Sequence, residues 1–252
     1  MRPIITTQPG FQPPQSGWMP LPQGFEEVPT GLEYLTYLDT VMIHNIRDPI
    51  GDRNKKYKLK NSNGEQVLFA FQKLNGFITC DIHFINGQGI EVLTMKRETK
   101  YFLEGCYGWG STIGCHPFEC TIRIPSMGPP WIIRQRPQLK TTSYDVLDGD
   151  ENAIFQIDGP CCCRLLGCKD MEFQIRKSNE MIGEITRKWT GFTAQVDHGL
   201  YSVTFSSGLD VISKALLLSA AIFIVGLGYC SFDYCLFFQD ISEFPESQNR
   251  YR

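Results

Sequence analysis

The chain has 252 residues and a net charge of -3, enough length for one large domain with tails but the wrong sign of charge for phosphate-backbone binding as a main activity. Ten cysteines would suit a disulfide framework in an oxidising compartment. The N-terminus carries no secretory apolar region and no Asn-x-Ser/Thr acceptor occurs, so the bulk of the chain is expected in the cytoplasm with its thiols reduced.

Residues 1 to 30 hold seven prolines and no periodic apolar pattern, which predicts a disordered leader outside the folded domain. From Gly31 onward the texture becomes alternating strands joined by turn signals. The hairpins read Tyr57 to Lys60, Asn63-Gly64, Val67 to Phe71; Phe77 to Phe84, Asn86-Gly87, Ile90 to Met95; and Tyr144 to Leu147, Asp148-Gly149, Ala153 to Ile157. Asn-Gly and Asp-Gly supply the positive φ angles of tight turns. A fourth unit, Met171 to Arg176 and Met181 to Arg187, is expected to close through a looser turn at Lys177-Ser178-Asn179-Glu180. Repeated antiparallel hairpins over 31–208 point to a mostly β barrel or sandwich, because closure removes exposed edges.

The stretch 209–238 breaks that pattern. Ala215 to Phe232 carries no charge and is apolar on every face, so a helix here must be buried in lipid or inside a protein core. Lys214 and Asp233 suit either case, by snorkelling or by exposure at the mouths of a barrel. Residues 239–252 read as a polar tail.

Motifs for chemistry are sparse. There is no nucleophile elbow and no phosphate-binding loop, and His44, His83, His116 and His198 lack motif spacing, so no enzyme is expected. Cys115, His116, Cys120 and Cys168 do not form the paired spacing of a zinc site, and none is assigned. Cys161-Cys162-Cys163 beside Leu165 and Leu166 suits S-acylation near a membrane, while each thiol alone suits a small buried apolar residue. Asp197 to Asp210 begins and ends with a carboxylate, but its alternation reads as a strand rather than as a calcium loop.

Gly31-Leu32-Glu33-Tyr34-Leu35 after the leader, Lys56 to Asn61 before the first turn, Asp158-Gly159-Pro160-Cys161, Gly183 to Lys188 before Trp189-Thr190-Gly191, and Leu209-Asp210-Val211 opening the apolar helix occur in an order that resembles the phospholipid scramblase family, from about Gly31 to Phe238. The resemblance implies a tubby-like closed antiparallel barrel of about twelve strands around a hydrophobic C-terminal helix. It also implies ATP-independent, calcium-linked movement of phospholipids between leaflets, with a phospholipid membrane as partner. The expected location is the cytoplasmic face of the plasma membrane, with a cytoplasmic N-terminus, and protein partners could engage the Pro-rich leader. The family's palmitoylated cysteine run would fall at Cys106, Cys115 and Cys120, its calcium ligands at Asp197 and Asp210 alone, and its nuclear-import segment at Arg187 and Lys188. The rival expectation is a soluble or membrane-tethered tubby-like module that binds lipid or protein in a signalling or nuclear role.

Overall fold

The period-two alternation becomes twelve strands: β1 Thr40–Ile46, β2 Lys56–Lys60, β3 Gln66–Asn75, β4 Thr79–Ile85, β5 Glu91–Glu98, β6 Glu119–Arg123, β7 Trp131–Arg136, β8 Thr141–Leu147, β9 Ala153–Cys161, β10 Met171–Lys177, β11 Glu180–Lys188 and β12 Leu200–Phe205. The computed structural model describes residues 17–22, 24, 28–46, 54–75, 79–98, 118–125, 127–136, 141–161, 170–188 and 200–224. Each strand pairs antiparallel with its neighbour in sequence, and β1 pairs with β12 to close the ring. The closed barrel expected from the family resemblance is therefore the architecture of the chain.

Three hairpins use one turn chemistry, and in it Asn-Gly and Asp-Gly do not all supply the positive φ expected of them. Asn61, Asn86 and Asp148 each stand at the first position, where the side-chain Oδ1 accepts from the backbone N–H two residues on and again four residues on, at 2.8 to 3.0 Å. The left-handed residue comes fourth: Gly64 at φ 83°, Gly89 at 77° and Glu151 at 62°. Each is thus a three-residue loop with a bulge, and the strand registers shift beside all three turns. Asn86 and Asp148 serve as side-chain acceptors rather than as positive-φ residues, because an Asx side chain can take the place of a backbone acceptor. The turn expected to be loose is the tightest. Ser178 and Asn179 both adopt positive φ, 49° and 70°, in a two-residue loop between paired Lys177 and Glu180.

Among the described residues the leader meets the barrel at 17–19 and again at Val28, which packs against the core. Gln66 exchanges backbone hydrogen bonds with Gly17 (2.7 Å) and Met19 (2.9 Å), and the Trp18 ring covers Gly87. The expected boundary at residue 30 therefore leaves a pairing segment of the barrel on the leader side.

The C-terminal helix, α1, is described over 211–224. Every residue from Ser213 to Ile224 is buried, which for a helix means enclosure on all sides. It lies in one core with the inward residues of the strands, among them Val41, Ile43, Tyr57, Ile133, Ile157 and Val203, all 0 % exposed. The Tyr144 ring meets Phe223 edge-on at 6.1 Å. Ser219, polar and fully buried, donates to the Ala215 carbonyl oxygen at 2.8 Å, so the helix satisfies its own hydroxyl. The apolar surface of 213–224 is consumed by the barrel interior and cannot also face lipid in this fold. The 14 described residues of α1 extend about 21 Å, and among the described residues no helix is long and apolar enough to cross a membrane.

Candidate functional site

An up-and-down barrel sorts its connections between two rims, and here the sorting is uneven. The tight turns at 61–65, 86–90, 148–152 and 178–179 share one rim with the entry of α1 and a short 3-10 turn, Glu33–Tyr37. The opposite rim receives the ends of β5, β9 and β11, from which the chain continues into 99–117, 162–169 and 189–199. Cys120, Cys161, Arg187 and Lys188, singled out from the sequence, lie toward that second rim.

Cys106, Cys115, Cys162, Cys163 and Asp197 lie outside the described residues. Cys161 is the last residue of β9. Cys120 sits near the start of β6, 3 % exposed, with its thiol in the core. Arg187 and Lys188 end β11, where Lys188 Nζ pairs with Asp170 at 3.0 Å. Among the described residues no three His, Cys, Asp or Glu side chains converge as a metal site.

Asp210 is at the turn rim and caps α1. Its Oδ2 accepts from the Ser213 N–H at 3.0 Å, the N-cap to third-residue bond that an N-terminal Asp is suited to make. Four residues on, Lys214 neither snorkels nor emerges. It is 2 % exposed, and its ammonium donates to the carbonyl oxygens of Leu35 (3.0 Å), Thr36 (3.3 Å) and Leu38 (2.8 Å) while lying 5.8 Å from the Phe205 ring centre. Burial pulls its pKa below 10.5, and the carboxylates of Asp39 and Asp210 oppose the shift. Leu32, Tyr34 and Leu35, all buried, close this end of the lumen around it.

The outer walls differ in charge. On β7 the two arginines are matched by acids from β6, β8, β9 and the β8–β9 turn: Arg134 pairs with Glu119 and with Glu151 (3.1 Å), and Arg136 with Asp158 and Asp145 (3.2 Å). Burial raises the Asp145 pKa, with Arg136 pulling it back. The opposite wall presents a row of lysines instead. Tyr57 and Leu59 point inward, so Lys56, Lys58 and Lys60 share the outer face of β2. The registers place Lys58 between His44 and Phe69, Lys56 between Ile46 and Phe71, and Lys60 beside Met42. Phe69, Phe71 and His83 stack in a continuous row, at 6.2 and 5.5 Å. The outer positions of β12 (Leu200, Ser202, Thr204), of β1 and of β2 contain no carboxylate. Sequence reading missed this field because the net charge is negative. The period-two lysines of Lys-Tyr-Lys-Leu-Lys were the signal available.

The family model described as Scramblase matches residues 19–229, an interval that spans the barrel and all of the described helix. The chain is 28 % identical to phospholipid scramblase 2 of Bos taurus over 241 residues, 87 % of this chain and 78 % of the relative. It is 28 % identical to human phospholipid scramblase 1 over 225 residues (82 % and 68 %) and 27 % identical to human phospholipid scramblase family member 5 over 223 residues (80 % and 79 %). No solved structure matches. A family match over most of the chain, coextensive with a closed barrel and its buried helix, makes this protein a divergent member of the Scramblase family.

Proposed function

We propose that this chain acts in ATP-independent, bidirectional movement of phospholipids between membrane leaflets, from the cytoplasmic face of the plasma membrane. The observation that carries the reading is the family match across residues 19–229, which includes the barrel, the buried helix and their connections, together with relatives that are named phospholipid scramblases. Lipid transfer of this kind needs no nucleophile or phosphate loop, in keeping with the absence of catalytic motifs from the sequence.

In this reading calcium has a weak role. Asp210 already spends its carboxylate on the helix cap, and with Asp197 it offers too few oxygens for a tight site, so affinity of about millimolar is expected. Acylation is assigned to Cys161, Cys162 and Cys163 rather than to Cys120, whose thiol is in the core. The Pro-rich leader is the segment offered to protein partners. Reconstitution of the purified chain into vesicles with a fluorescent phospholipid, with and without calcium, tests the reading. Movement of label without ATP supports it, and label that stays in its leaflet under both conditions refutes it.

The burial of α1 favours a second reading, a membrane-tethered barrel that recognises lipid without moving it and whose Arg187 and Lys188 segment serves a nuclear role. The same reconstitution separates the two, because a recognition module binds the vesicles but leaves the label in place.

A further inference from the structure

We propose that the outer wall built from β12, β1, β2 and the start of β3 is the surface with which this chain docks on an anionic phospholipid bilayer, with Lys56, Lys58 and Lys60 meeting headgroup phosphates and Phe69 and Phe71 entering the interface. The inference rests on the membrane reading above and names the face that performs it.

Three features support this assignment. First, the lysines recur at every second residue on β2, so all three project from the same side of the sheet, Lys58 exposed and its neighbours half-buried. Second, four of their six cross-strand neighbours are apolar or aromatic, Phe69 and Phe71 on β3 and Met42 and Ile46 on β1, the other two being His44 and Gln66. A surface that mixes basic tips with half-buried rings suits the boundary between headgroups and acyl chains, where lysine stems lie along apolar surface and ammonium groups reach the phosphates. Third, charge is segregated around the barrel. Acids neutralise Arg134 and Arg136 on β7, whereas the outer positions of β12, β1 and β2 carry no carboxylate. Complementarity therefore favours an anionic partner on this side, although the whole chain is negative.

Flotation of the purified full chain with vesicles tests the proposal. Equimolar phosphatidylcholine and phosphatidylserine vesicles should carry the chain upward, pure phosphatidylcholine vesicles should not, and added salt should weaken the binding. Each lysine near such a surface contributes about 1 kcal/mol, so Lys58→Gln with Lys60→Gln should lower vesicle affinity roughly thirtyfold. Lys58→Gln alone changes an exposed position and should give about fivefold. Lys177→Gln, exposed on β10 away from this wall, should leave binding unchanged. Equal binding by the double variant, or loss of binding in Lys177→Gln instead, would overturn the docking surface. So would tighter binding to a duplex oligonucleotide than to the anionic vesicles at the same salt, which would make the lysine row a nucleic-acid face. Labelled lipid in the same vesicles keeps the two claims apart. Lysine-dependent binding without lipid movement supports the surface and removes the scrambling activity, and lipid movement that ignores the lysines does the reverse.

Discussion

The Lys214 ammonium stands 2.8 Å from the Leu38 carbonyl oxygen, 176 residues earlier in the chain, and joins the first turn of α1 to the segment that leads into β1. Two further carbonyls, of Leu35 and Thr36, complete the set. A buried cation is tolerated when its donors are met, and an ammonium has three. The pin holds the end of the lumen closed where the helix enters.

Lys214→Met keeps the apolar stem and deletes the donors, leaving buried carbonyl oxygens without a partner. The expected loss is about 3 kcal/mol in urea unfolding, the range for a hydrogen-bonded charged group. The pH dependence has a defined sign. Because the folded pKa lies below 10.5, the unfolded chain binds more protons between the two values, so this group adds stability as pH rises through that window. Wild type should gain relative to Lys214→Met as the pH approaches 10.5, and a relative loss would contradict the burial.

Ile222 is 0 % exposed near the end of the described stretch of α1. Ile222→Asp buries a carboxylate without a partner and should cost at least about 4 kcal/mol, enough to unfold a domain at the low end of ordinary stability, about 5 kcal/mol. Limited proteolysis checks this. A resistant fragment over residues 31–207 in the variant would mean that the barrel folds without its helix.

Glu151 holds a left-handed φ of 62° where the two sister turns have glycine. Glu151→Gly relieves a strain of about 1 to 2 kcal/mol and gives up an exposed ion pair with Arg134 worth up to about 1 kcal/mol. The net expectation is stabilisation by roughly 0.5 to 1 kcal/mol, read as a higher melting temperature. The neighbouring Asp148 carboxylate, held below its ordinary pKa by hydrogen bonds from Asn152 and Asp150, supports the turn above pH 3.8 and loses that effect as pH falls through its folded value.

Asp210→Ala removes the cap of α1 and should cost about 1 kcal/mol, whereas Asp210→Asn, which keeps the acceptor, should cost less. Calcium titration of the wild type by calorimetry should show nothing tighter than about millimolar. A micromolar site lost in Asp210→Asn would place calcium at the cap after all.

The strands and their hairpin pairing were legible because alternation and turn residues are local signals, whereas the choice of a closed barrel over a sandwich came from the family that the order of short motifs carried. Three things were not. Asn86-Gly87 has the composition of a two-residue turn, but the choice between two and three loop residues depends on the strand register, which sequence alone leaves open. Lys214 looked like a terminal charge because its partners lie at Leu35, Thr36 and Leu38, far away in sequence. The lysine row on β2 was hidden by net charge, since only the barrel brings Phe69 and Phe71 beside it.

The central claim is that α1 is the core of the barrel when the protein is at a membrane as well as when it is free. Amide hydrogen exchange on the full chain, with and without anionic vesicles, tests it most directly. Residues 213–224 should exchange as slowly as β1 and β12 in the free chain and keep the same protection on vesicles. Fast exchange of 213–224 in the free chain, with protection gained only when vesicles are added, would show a helix that inserts into lipid and would contradict the account.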